Sequence, residues 1–169
     1  MLQLLESAIE STRKSLGVLG FEPCTGSICD TVSAVALVFQ DAHPVLQLSL
    51  DLPAIPPISF DRRLIQQALG NLLTNTMKYS VGAPRAKISV VAENDAVQII
   101  VRDHGIGIPA PDREGIFDDY VRAGNVGERP GTGLGLSIVQ QIASLHGGNV
   151  DIVETDGQGT SIRITLPCG

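Results

Sequence analysis

The chain has little cysteine, no long apolar run and no block of basic charge. Three cysteines, Cys24, Cys29 and Cys168, at irregular spacing are too few for a disulfide framework, and no histidine and cysteine set has zinc spacing. They read as structural thiols. No stretch approaches the roughly 18 apolar residues of a membrane-spanning helix. The N-terminus has no basic segment followed by an apolar run and a small-residue cleavage site. The expectation is a soluble cytoplasmic chain, or the cytoplasmic part of a larger membrane sensor. Acidic and basic residues are scattered around a formal charge of −6, which argues against a nucleic-acid-binding face. Internal repeats and low-complexity segments are absent from the sequence.

What is present suits one core. With 169 residues, 43% of them hydrophobic, a single domain buries roughly two-thirds of its unfolded surface. Leu2, Leu5, Ile9, Thr12 and Leu16 give residues 2–16 one apolar helical seam. Residues 1–20 are therefore set apart, either as a helix packed on its own domain or as the cut end of a longer helical hairpin or coiled coil. The domain proper is 21–169. Within it the patterns predict a helix over 27–39, a strand over 45–51, and a proline-marked loop at Pro53, Pro56 and Pro57. A short strand at 58–60 follows, then a helix capped by Asp61 and running through Tyr79. Alternation at Ile88, Val90, Ala92 and at Val97, Ile99, Val101 predicts a hairpin around Glu93, Asn94 and Asp95. Residues 103–132 are rich in glycine, proline and charge, and predict a mobile lid with a short helical stretch at 113–120. Leu134, Ile138, Ile142 and Leu145 trace a helix stopped by Gly147 and Gly148, and a last hairpin joins 150–154 to 161–166.

Three segments carry chemistry. On the helix from Asp61, Asn71, Asn75 and Lys78 form a polar stripe, while Ile65, Leu69, Leu72 and Thr76 form an apolar one. The polar stripe is either an ordinary solvated face or a source of amide oxygens for a hard cation and an ammonium for phosphates. In DHGIGIP, Asp103 can accept from an exocyclic base amine, and Gly105 and Gly107 allow backbone to approach a flat ring. Adenine suits the carboxylate; guanine can also donate. Pro109 and Pro111 exclude the immediate helix start of a dinucleotide fingerprint. GTGLGL, from Gly131 to Leu136, opens a helix whose N–H groups can bind polyphosphate, but no Lys-Ser/Thr pair follows as in a P-loop. Arg122 either reaches the phosphates or forms a surface ion pair, and Phe117 either anchors the lid or belongs to the core.

In this order, NLLTNTMKY, DHGIGIP, IFDDYVRAG and GTGLGLSIV resemble the N, G1, F and G2 boxes of sensor histidine kinases. These belong to the ATPase superfamily shared with gyrase, MutL and heat-shock chaperones. The resemblance covers most of residues 27–166. It implies a two-layer α/β sandwich, with helices on one face of a mixed, mostly antiparallel sheet, and Mg-ATP held under a flexible lid. By motif position it makes Asn75 the magnesium ligand and places Asn71, Lys78 and Tyr79 along the triphosphate and ribose. Asp103 would bind the adenine amine, Gly105 and Gly107 would floor the base, and Thr160 would lie near the adenine. Arg122 would sit near the phosphates and Gly131, Gly133 and Gly135 would face them. Ile108, Thr132, Leu134 and Leu136 complete the nucleotide-binding set, and Asn71, Asn75, Lys78 and Arg122 are the catalytic candidates.

The hydrolytic branch carries a glutamate one turn before the magnesium asparagine. Here that place is Asn71, an amide without useful basicity. Transfer to histidine needs less help, because neutral imidazole is already nucleophilic. The implied activity is a protein-histidine kinase. No phosphoacceptor motif is present: His43 precedes Pro44, His104 sits in the G1-like segment and His146 precedes Gly147. The acceptor is expected on a separate dimerisation domain, with relay to a response-regulator receiver domain. A nucleotide-binding regulatory module without kinase turnover is the alternative. Thr76 stands where alanine is usual, and the lid is short.

Overall fold

A computed structural model describes residues 20–129, 131–153 and 159–168. The helix expected over 2–16 lies outside the described residues. The elements are β1 (Cys24–Gly26), α1 (Ile28–Ala42), β2 (Gln47–Asp51), β3 (Ile58–Phe60), α2 (Arg62–Tyr79), β4 (Arg85–Glu93) and β5 (Ala96–Asp103), then a 3-10 turn at Ala110–Asp112, α3 (Gly135–Leu145), β6 (Asn149–Val153) and β7 (Ser161–Pro167). The main sheet has the order β2-β4-β5-β7-β6; β2 runs parallel to β4 and every other pairing is antiparallel. A separate ribbon pairs β1 with β3.

Alternation creates the two layers. Ala86, Ile88 and Val90 of β4, Val97, Ile99 and Val101 of β5, and Ile162, Ile164 and Leu166 of β7 are buried on one face. Their neighbours Lys87, Gln98, Arg102 and Thr165 lie on the other face, half-buried or exposed. The helices cover the apolar face: Ile28 and Val32 from α1, Ile65, Leu69 and Leu73 from α2, and Val139 and Ile142 from α3 all join one core. The fold is the expected two-layer α/β sandwich.

Local chemistry sets the element ends. Ser27 Oγ caps α1 by accepting from Asp30 N at 3.1 Å, and Asp61 caps α2 by accepting from Arg63 N at 3.0 Å and Leu64 N at 3.3 Å. The α3 helix ends on Gly147 at φ +71°, with Gly148 N donating back to Ala143 O at 2.9 Å. That closes the last turn and spends its carbonyls. The β4–β5 hairpin turns on Asn94 and Asp95, both with positive φ, as a two-residue turn matched to strand twist requires.

The helical stretch expected at 113–120 is not formed. Residues there make isolated i to i+3 turns, such as Asp118 N to Gly115 O at 3.0 Å. The sequence pattern fails because Ile116 and Phe117 are both drawn into the core and Tyr120 adopts φ +65°, outside helical space. Phe117 is thus a core residue. The strand expected from Val45 begins at Gln47, since Leu46 turns into the core while Val45 is exposed.

Candidate functional site

The C-terminal half of α2, the ends of β5 and β7, the segment 103–132 and the start of α3 line a cavity of about 470 Å³. All the candidate residues named from sequence line it except Gly105 and Gly131. Asn71, Asn75, Lys78 and Tyr79 of α2, Asp103 and Thr160 at the strand ends, and the segment Thr132 to Leu136 all line it.

Gly105 also lets two backbone segments meet. A Cβ at this position would lie 2.6 Å from Tyr79 O. Its bareness lets the loop bind under the end of α2, where Ile106 N donates to Tyr79 O at 3.0 Å. Gly131 crosses directly over the Lys78 ammonium and lies against the Tyr79 hydroxyl, so a side chain there would displace both.

The polar groups separate into two ends. At the floor, Asp103 Oδ1 accepts from Gly105 N at 2.8 Å and from Thr160 N at 3.1 Å, which leaves Oδ2 without a donor among the described residues. Burial raises the Asp103 pKa above its ordinary value, against the two backbone hydrogen bonds and nearby His104, which pull it down. At the other end the Asn71 Nδ2 is buried with no hydrogen-bond partner among the described residues, an expensive state unless a ligand supplies an acceptor. Lys78 forms no ion pair among the described residues, and its ammonium lies 5.3 Å from the Tyr79 ring centroid. Gly135 stands so near Asn75 that a Cβ there would be 3.6 Å from both amide atoms. The helix α3 begins at this point with no side-chain cap, leaving its first N–H groups available to an anion.

Arg122 lines the cavity, but its Nη2 donates to Arg129 O at 2.5 Å and to Gly127 O at 3.5 Å. In this arrangement the guanidinium holds the lid's own backbone. Sequence reasoning missed the apolar lining, including Ile106, Ile116, Val126 and Ile138. Val101 and Ile162, also in the lining, were legible as inward positions of their strands. The lid residues carried no periodic signal. No group of three or more His, Cys, Asp or Glu among the described residues could hold a metal, so a cation here would depend on amide and ligand oxygens.

A flat apolar slot with one carboxylate at its floor, and amides, an ammonium and an open helix N-terminus at its far end, defines a class of nucleotide-binding protein. Residues 60–169 match the family described as histidine kinase-, DNA gyrase B-, and HSP90-like ATPase. The chain belongs to that family, as an ATP-binding catalytic domain of the sensor histidine kinase type. The adaptive-response sensory kinase SasA of Synechococcus sp. (strain JA-3-3Ab) is 31% identical over 172 residues, covering 99% of this chain and 45% of that protein. The sensor histidine kinase WalK of Bacillus subtilis (strain 168) is 39% identical over 114 residues, covering 65% of this chain and 19% of that protein. The chain thus spans less than half the length of these curated relatives. Among solved structures, the mycobacterial sensor histidine kinase MprB superposes with a TM-score of 0.73 at 25% identity, over 86% of this chain and 97% of that one. Full-length ShkA, solved with AMPPNP, gives 0.75 at 25% identity over 88% of this chain and 31% of that one. Among the described residues, no helix is long and apolar enough to cross a membrane.

Proposed function

We propose that the domain binds Mg-ATP and transfers its γ-phosphoryl group to a histidine on a separate dimerisation domain, for relay to a response-regulator receiver domain. The observation that carries this reading is the polarity of the cavity. Among the described residues, one Asp103 carboxylate oxygen has no donor and the buried Asn71 amide has no partner. The first suits the adenine amine and the second a phosphate oxygen.

The donor set fits magnesium nucleotide. Asn75 is the one candidate metal ligand, its amide making no hydrogen bond among the described residues, and phosphate oxygens and water would complete the shell of a hard cation. Magnesium would supply charge neutralisation across the phosphates. The chain's own residues orient the nucleotide. Asp103 fixes the base, while Asn71, Lys78 and the opening N–H groups of α3 hold the phosphate chain. Arg122 can add positive charge there only by leaving Gly127 O and Arg129 O. In the transfer, the lone pair of a neutral imidazole nitrogen forms the N–P bond, the bond from phosphorus to the bridging oxygen breaks, and its electrons leave with ADP. Positioning and charge neutralisation supply most of the catalysis. With an amide at Asn71 in the base position, water is not activated, and transfer is favoured over hydrolysis.

The test adds the acceptor-bearing helical domain and γ-labelled ATP to the full chain. Acid-labile, base-stable label on the acceptor domain is expected. Tight nucleotide binding without phosphohistidine would establish a regulatory nucleotide-binding module instead, and steady phosphate release without acceptor would establish a hydrolase.

A further inference from the structure

Asn125 belongs to none of the four motifs, yet its exposed side chain joins two parts of the site. Its Nδ2 donates to Ile106 O at 3.2 Å and to Gly107 O at 3.1 Å. Both acceptors are backbone carbonyls of the loop that follows Asp103, and both residues line the cavity. One residue earlier, Gly124 N donates to Asp112 Oδ2 at 2.7 Å. On either side of this pair Ala123 is buried and Val126 packs against the core. Residues 123–126 therefore sit down on the base-binding loop through two hydrogen bonds, on the turn that ends at Asp112 through a third, and on the core through Ala123 and Val126.

The base of the lid is pinned as well. Tyr120 N donates to Gly133 O at 3.2 Å, with Tyr120 at φ +65°. A Cβ at Gly133 would lie 2.7 Å from the Tyr120 carbonyl carbon, so only glycine lets the two ends of the lid touch. A non-glycine residue in the left-handed region persists only where surrounding contacts hold it. The lid is thus fixed at its base by Tyr120 and Gly133, and at its tip by Asn125.

We propose that Asn125 is a positioning residue, a latch that holds the lid against the base-binding loop and thereby sets how long an adenine nucleotide stays bound. One primary amide is the group the geometry needs. Two carbonyls side by side require two N–H donors from one direction, and the two hydrogens of Nδ2 supply both. The latch closes beside the base end of the cavity, away from the phosphates, so it bears on nucleotide release. This inference rests on the ATP-binding reading of the cavity.

The test uses Asn125→Asp, which keeps the shape, removes both donors and places a carboxylate against two carbonyls. Asn125→Ala is the second variant. Thermal unfolding first checks that each folds like the parent. Without nucleotide, trypsin cleavage after Arg122, followed by mass spectrometry, reads release of the lid, because buried Ala123 is the next residue. With magnesium and a fluorescent ATP analogue, stopped flow reads the dissociation rate. Loss of two net hydrogen bonds predicts both rates about 10-fold faster in the Asp variant, with association little changed. Rates within about twofold of the parent in both assays would overturn the latch. If the parent binds no nucleotide at all, the reading of the cavity falls and the residence-time claim falls with it, while the trypsin rates show separately whether Asn125 holds the lid.

Discussion

Asp61 and Asp103 stand near opposite ends of α2, both withdrawn from water, and their surroundings treat the charge in opposite ways. Asp61 is 1% exposed. Its carboxylate accepts from Glu22 N at 2.9 Å, Arg63 N at 3.0 Å, Leu64 N at 3.3 Å and Arg63 Nη2 at 3.2 Å. Burial alone would raise its pKa, but these hydrogen bonds and the Arg63 charge outweigh it and the pKa falls. The Asp61 N–H is also used, donating to His146 Nε2 at 3.0 Å. Among the described residues Asp103 has donors on one oxygen only, and burial lifts its pKa. A buried carboxylate with every lone pair occupied holds structure. One left half-satisfied among the described residues, in a cavity that also holds the unpartnered amide of Asn71, holds a place for a ligand.

The largest effect that would break this contrast is expected at the pocket end. Asn75→Ala should weaken magnesium-dependent ATP binding about 100-fold, roughly 2.7 kcal/mol, with the unfolding midpoint unchanged. Calorimetry with and without magnesium checks it, and equal affinities for parent and variant would remove Asn75 as the metal ligand. At the other end, Asp61→Ala should cost about 2 kcal/mol in urea unfolding, because a helix cap is lost and buried donors are orphaned. The folded variant should bind nucleotide within about threefold of the parent. A variant as stable as the parent would contradict the structural role.

Acid should then separate the two carboxylates. The stability that Asp61 contributes is present above its unfolded pKa, 3.8, and is lost as pH falls through its lowered folded value. Asp103 has the opposite sign. Its contribution is full below the unfolded value of 3.8 and is lost as pH rises through the raised folded pKa. Adenine binding needs the ionised form, so affinity should fall on acidification, starting at a higher pH than for an ordinary aspartate. Asp103→Asn should bind about 10-fold more weakly and lose that pH dependence; a pH titration of affinity that matches the parent would sink the assignment. The smallest effect is expected for Asn71→Ala. Removing an amide that has no partner should change stability by no more than about 0.5 kcal/mol, or raise it slightly, while nucleotide affinity drops. A clear loss of stability would mean that Asn71 is already satisfied in the free protein.

Much of this was legible in the sequence because regular elements announce themselves locally. The α2 boundaries follow from the Asp61 cap and the spacing of Ile65, Leu69, Leu72 and Thr76, and the structure starts the helix at Arg62 and ends it at Tyr79. The strand Ile58–Phe60 was likewise readable from its flanking prolines. A lid within 103–132 was readable from glycine, proline and charge, but its structure was not, because single tertiary hydrogen bonds hold it, Asn125 to Ile106 O and Gly107 O among them, and these leave no period. His146 is similar. Its Nδ1 lies 2.7 Å from Ile142 O while Nε2 takes the Asp61 N–H, so it pins the end of α3 to the start of α2, a role that a lone histidine before Gly147 does not disclose.

In time, this sheet does not assemble in the order of its sequence. The β4–β5 hairpin closes through two turn residues and sits at the sheet's interior, whereas the parallel register of Gln47 with Arg85 waits until β3 and α2 have crossed between them. Chain entropy favours the short closure first. The hairpin is the expected folding nucleus, so weakening substitutions there should slow folding, whereas those in β2 should chiefly hasten unfolding. The strand made early on the ribosome thus joins the sheet only after the hairpin that is made later.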